Sequence, residues 1–248
     1  MNRNSPVCTI FRREWASYFN SPVAYVFLVI FLVLSAVFTF QLSPFFAANN
    51  AELATSFFFW HPWLFLILVP AITMGQWSNE RRSHTIELLF TLPVTLWQAV
   101  AGKYLASLAF MVLALALTFP VVITVAYLGD PDMGVILSGY AGSTLLAAAF
   151  LALGTFTSAL SRDQVVSFII AVAAGLFLVL AGVPAVTLFL AGYLPAWLVD
   201  FVASLGFVSH FEQMTRGVLD LRDVLYFLTV VGLGLFATLV TLENKSAR

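Results

Sequence analysis

The sequence predicts an all-α membrane protein with six transmembrane helices, and three observations predict it. Hydrophobic residues fill 61% of the 248 positions and charged residues 9%, at a mean hydropathy of +0.99. A soluble domain carries about a quarter charged residues. A chain of this length could bury a large core in water but could not then coat it, so lipid must be its solvent. The apolar residues also gather in runs near the ~20 residues that cross ~30 Å of hydrocarbon. Finally, the net charge of −1 conceals an uneven layout, with lysine and arginine crowded on alternate connections between those runs.

The chain opens on an interfacial element. Ser5-Pro6 reads as an N-cap followed by proline at the first helical position. Val7, Ile10, Phe11, Trp15, Tyr18 and Phe19 then recur at helical spacing, with Arg12, Arg13 and Glu14 elsewhere on the wheel. Residues 6–20 are therefore expected to form an amphipathic helix lying among lipid headgroups. No small-residue cleavage site closes the next apolar run, so the lead does not read as a cleavable signal.

Spans are expected at 23–41, 57–77, 104–128, 135–160, 164–181 and 224–242. Trp60, His61 and Trp63 fall at the outer edge of the second, and Pro70 inside it marks a kink. Asp130-Pro131-Asp132 reads as a short outer turn. Gln164 to Val199 is a stretch of 36 residues without a charge, about 54 Å as straight helix. No span needs that length, and Gly182-Val183-Pro184 is the expected break. Residues 184–217 are apolar but divided by Gly192, Pro195, Gly206 and Gly217. They are expected to form short re-entrant or interfacial helices in the outer leaflet. Ser209 and Glu212 have capping-box spacing there, and Gly217 is placed to end a helix.

Six spans put Arg3, Arg12, Arg13, Arg81, Arg82, Lys103, Arg162, Lys245 and Arg248 on one side, nine of the eleven basic residues. Arg216 and Arg222 face the other side, among seven carboxylates. The positive-inside rule then makes both termini cytoplasmic. A seven-span arrangement would push Lys245 and Arg248 outside.

Several chemistries lack their residues. Cys8 is the single cysteine, which excludes an internal disulfide and a thiolate metal site. The spans hold almost no ionisable groups, whereas an ion-coupled carrier keeps some at membrane depth. No nucleophile and base gather for an intramembrane hydrolase. His61, His84 and His210 are scattered, and read as interfacial, solvated and helix-start residues respectively. No Gly-x-x-x-x-Gly-Lys-Ser/Thr phosphate loop occurs, and no basic face for nucleic acid. No cofactor is expected in the chain.

Residues 78–100 stand out by charge. At helical spacing Glu80, His84, Glu87 and Thr91 form a polar stripe beside Ile86, Leu89, Phe90 and Pro93. Pro93 ends a first short helix, and Thr95 with Gln98 has capping-box spacing for a second that continues through Lys103 into the third span. On these residues alone the elbow is either a partner-binding surface or a charged loop that enforces topology.

Glu80-Arg81-Arg82-Ser83-His84-Thr85-Ile86-Glu87-Leu88-Leu89, with Leu92-Pro93-Val94 and Gly102-Lys103, resembles the first cytoplasmic loop of type-2 ABC exporter permeases. It is most similar to the gliding-motility-associated permeases, whose relatives include the nitrous-oxide-reductase maturation permease. Ser209-His210-Phe211-Glu212 and Arg216-Gly217-Val218-Leu219-Asp220-Leu221-Arg222-Asp223 resemble the segment before the last span of that family.

The resemblance implies a permease subunit paired with itself or a homologue and driven by two copies of a separate ATP-binding subunit, which carries ATP and Mg. It implies a bacterial inner-membrane location and leaves room for an accessory extracytoplasmic protein. Glu80, Arg81, Arg82, His84 and Glu87 would form the coupling helix that seats on the ATPase, with Arg162 and Asp163 as a smaller second contact. The competing reading is a membrane anchor or sensor that recruits a partner at the same elbow and transports nothing.

Overall fold

The computed structural model describes residues 5–43, 53–83, 85, 94–129 and 131–246. Among these residues the regular structure is helical, and six helical stretches are long and apolar enough to cross a membrane. Helix α1 (Pro6–Asn20) starts on Pro6 after Ser5, as the N-terminal proline preference dictates. A kinked return at Ser21, whose hydroxyl caps Val23 N–H, leads into α2 (Pro22–Val37), which continues through one π-turn to Leu42.

The second span begins earlier than expected, at Leu53, through the short α3 (Leu53–Ser56) and a 3-10 turn. It runs on as α4 (His61–Thr73), with Pro70 inside. After a turn comes α5 (Ser78–Arg82).

The third span is continuous with its lead. Helix α6 (Leu96–Ala116) starts at Thr95, which has a complete capping box with Gln98. A break at Leu117-Thr118 precedes α7 (Phe119–Leu128). Pro120 explains the break, because its ring cannot donate an N–H to the carbonyl one turn back. Helix α8 (Met133–Leu160) is capped by Asp132, and α9 (Gln164–Ala181) by Asp163. Three short helices follow, α10 (Pro184–Ala191), α11 (Ala196–Ser204) and α12 (Phe207–Thr215). The last span is α13 (Leu221–Ser246).

Helix α8 is the hub of the bundle: α4, α6, α9, α12 and α13 all pack on it. Its sequence explains why. Glycine, serine and alanine recur along it and let neighbours approach backbone to backbone. At Gly154 the approach is extreme, because a Cβ there would collide with Thr73 Oγ1. By contrast α2, α9 and α13 turn aliphatic faces outward, with Val26, Ile30, Ile169, Leu228 and Phe236 exposed.

Two expectations are corrected. His61 is not interfacial: it is 0% exposed, boxed in by Phe57, Phe58 and Phe65, with Nδ1 2.6 Å from Ser143 Oγ. Extending the second span back to Leu53 moves His61 one turn deeper into the bundle, where the serine on α8 meets Nδ1 and Nε2 is buried without a partner among the described residues. The capping box at Ser209 and Glu212 is also absent. Helix α12 starts earlier, at Phe207, because Gly206 is pressed onto Gly182, where a Cβ would collide with the Gly182 backbone. Ser209 bonds back to Ala203 and Gly206 carbonyls instead. Gly217, at φ +90°, does close α12 in the left-handed region open to glycine.

Candidate functional site

The charged elbow is assembled from the turn outward. After α4 the chain folds through Met74–Trp77, and its freed backbone groups find partners on α8. Ser158 Oγ accepts from the N–H groups of Trp77 and Ser78, at 3.0 and 3.2 Å, and donates to Met74 O at 2.9 Å. Gln76 spans two helices: its Nε2 donates to Ser107 on α6 and its Oε1 accepts from Thr155 on α8, both at 2.9 Å. The turn is thus bolted to the hub before any charged residue appears.

Lys103 organises the charges. It lies about two turns into α6 and is 4% exposed. Its ammonium donates to Glu80 Oε1 at 2.6 Å and Gln76 O at 2.9 Å, and stands 3.7 Å from Glu14. The Trp77 ring lies beneath it at 4.8 Å, a cation–π contact. A buried ammonium is tolerated only when surrounded in this way. One side chain thereby joins the N-terminal helix α1, the elbow helix α5 and the third span. Nearby, Tyr18 of α1 stacks on Phe110 of α6 at 4.8 Å. Burial pushes the Tyr18 phenol up to about 12, partly offset by side-chain hydrogen bonds to Gln76 and Ser107, so it stays neutral.

The two segments predicted as contact surfaces lie side by side. Gln164 Nε2, at the start of α9, donates to Asn79 Oδ1 on α5. Arg81 Nη1 donates at 2.7 Å to Ala159 O at the end of α8, where a cation suits the helix C-terminus. Asp163 is spent on capping α9, accepting from Val165 and Val166 N–H at 2.8 and 3.3 Å. Arg82 and Arg162 are exposed at this end. The predicted set therefore divides: Glu80 and Arg81 are engaged within the bundle, exposed Asp163 caps its own helix, and Arg82 and Arg162 point into solvent. His84 and Glu87 lie outside the described residues, as do Ile86 to Pro93.

A cleft of about 580 Å³ opens from this cluster. Its polar end holds Glu14, Gln76, Glu80 and Lys103, and it continues between α2 and α4 past Phe27 and Leu68. Five apolar spans around a sixth as hub, an N-terminal entry helix and a charged elbow tied to the third span form the frame into which a family assignment must fit. The family described as ABC-2 family transporter protein matches residues 8–242. The chain belongs to the ABC-2 transporter family. It is a membrane permease subunit of an ABC transporter, and subunits of this family work with a separate ATP-binding subunit rather than hydrolysing ATP themselves. No curated protein matches the chain.

Sequence reasoning missed the roles of Glu14, Gln76 and Lys103 in this ABC-2 permease. Lys103 carried a signal, a lone cation at the mouth of an apolar run. Its partners lie on two other elements, and no local spacing points to them.

Proposed function

We propose that the chain is the transmembrane half of an ABC exporter of the gliding-motility-like subfamily, paired with a second copy or a homologue in a bacterial inner membrane. Both termini and the elbow face the cytoplasm. Two copies of a cytoplasmic ATP-binding subunit, carrying ATP and Mg, dock on the elbow and on the 161–163 turn. The observation that carries this reading is the pairing of Asn79 with Gln164, which makes the two turns a single surface. Arg82 and Arg162, exposed on that surface, supply charge for a partner. His84 and Glu87 extend the contact. Glu80, Arg81 and Asp163 act as positioning residues that keep the surface in register with the spans.

Force delivered to α5 passes through Glu80 and Lys103 into α6, a stiff helix, and through Glu14 into α1. The cleft beside Lys103, polar at one end and apolar along its length, suits an amphiphilic cargo entering from the same end.

The test is reconstitution with the ATP-binding subunit. Reversing both exposed charges, Arg82→Glu with Arg162→Glu, is expected to weaken co-purification of the ATPase at least tenfold, while the thermal unfolding midpoint stays within a degree or two. Full binding by the double variant removes the docking surface. A bound partner that lacks ATP hydrolysis points to the anchor reading instead.

A further inference from the structure

The segment before the last span contains a buried polar cluster that the coupling function does not use. His210 of α12 is 8% exposed and Asp223 of α13 is 1% exposed. Nδ1 of His210 lies 2.6 Å from Asp223 Oδ1, and Nε2 lies 3.2 Å from Ser204 O, at the end of α11. Both ring nitrogens thus face oxygen acceptors. A neutral imidazole has one N–H and would turn a lone pair toward one of them. The contacts are satisfied only when the pair holds one further proton, on His210 as imidazolium or on the Asp223 carboxyl. The Tyr226 ring stacks on the imidazole at 3.9 Å, and the C-terminus of α11 presents its carbonyls. Asp223 Oδ2 is buried with no partner among the described residues, so the carboxylate relies on the histidine.

What this proton holds together is a lightly anchored hairpin. Helix α10 buries no side chain and α11 buries Val199 alone, while Leu188, Phe189, Trp197 and Phe201 are exposed. Helix α12, in contrast, is fixed by Phe207, Phe211 and Met214 in the core. The two ends of the hairpin meet at Gly182 and Gly206, so α10 and α11 can swing together about one closed neck. Three side chains pin the returning end: His210 on Ser204 O, Ser209, whose hydroxyl donates to Ala203 O at 3.3 Å, and Tyr226, whose hydroxyl donates to Leu205 O at 2.6 Å. Beside the neck lies a cleft of about 360 Å³, with Val183 and Pro184 on one wall and Val208, Phe211 and Glu212 on the other.

We propose that α10–α11 is a proton-latched hairpin hinged beside this cleft: the proton shared by His210 and Asp223 pins the end of α11, and its loss frees the hairpin to swing. Among the described residues Asp223 and Tyr226 are the ionisable groups in contact with the ring. Glu212 of α12 and Arg216 just after it line the cleft instead, Asp200 of α11 is exposed, and α9 carries no ionisable side chain. The pinned state holds the extra proton, so raising pH drives opening.

The inference concerns the end of the bundle opposite the elbow, and its test needs no ATPase. In full-length Cys8→Ser protein in lipid nanodiscs, a single cysteine is placed at buried Val199 or, as a reference, at exposed Ala196. The ratio of their maleimide labelling rates cancels the ordinary effect of pH on thiols. Between about pH 6 and 9 the ratio is expected to rise tenfold or more with His210 present. His210→Gln should remove the pH dependence. Tyr226→Phe, which loses one pin but keeps the stacked ring, should raise the ratio at every pH and keep the slope. A ratio that does not change with pH in the His210 protein, or an unchanged slope in His210→Gln, overturns the proposal.

Discussion

Lys103 shows how much one side chain can carry in an apolar bundle. Its ammonium is buried beside two carboxylates, a carbonyl and an indole face. Removing it strands the Glu80 charge where solvent screens it poorly, because that side chain is about three-quarters buried, and leaves Glu14 to Arg13, 2.7 Å away. Lys103→Met is therefore expected to cost about 2 kcal/mol, below the ~3–5 of a fully buried pair, read as a lowered unfolding midpoint in detergent. Glu80→Gln added to it should recover part of the loss. At this scale the sequence was only partly legible. Asp132, Asp163 and the Thr95–Gln98 box were visible or local in principle, since caps act over three or four residues. The partners of Lys103, His61 and His210 were not, because each lies on another helix and only the packing brings them together.

Among the elements, hydrophobic runs of about twenty residues located all six spans, since crossing lipid imposes a length that composition reveals directly. Their starts were harder. The second span begins at Leu53 rather than at 57, because helices extend past the apolar window wherever tertiary partners sustain them, whereas the Thr95–Gln98 box marked the start of α6. Helix-on-helix distance was legible only as small residues along α8. Gly154 is the sharpest case: its backbone meets the Thr73 side chain too closely for any Cβ. Gly154→Leu is expected to force α4 off α8 and cost about 3 kcal/mol or more, lowering the unfolding midpoint by several degrees. Gly232 is the control: an added Cβ there would meet nothing within 4 Å, and Gly232→Ala should be neutral or slightly stabilising.

For the molecule as a whole, the unequal burial of the spans separates an inside from an outside. Helix α8 is enclosed, whereas α2, α9 and α13 present long aliphatic faces. If two copies pair in the membrane, one of those faces meets its counterpart. In a Cys8→Ser background, Val26→Cys on α2 is expected to form an oxidant-dependent crosslink between copies in native membranes. Leu228→Cys on α13 should form it at least tenfold less, because α2 lies beside the cleft and α13 does not. Equal crosslinking at both positions would place the copies elsewhere. The family and the six spans could be read from the chain; the division of the elbow into inward and outward charges could not, since it depends on where α8 and α9 end.

The hub has one more effect. A helix packed against by at least seven others has no room to slide against any of them, so α8 sets a fixed axis for the subunit. Strain entering at the elbow can turn the bundle about that axis but cannot fold it in half. Movement is left to the parts α8 does not grip, the flanking helix α2 and the α10–α11 hairpin. The subunit is in effect a rigid spindle with two loose attachments, one at its side and one at its far tip.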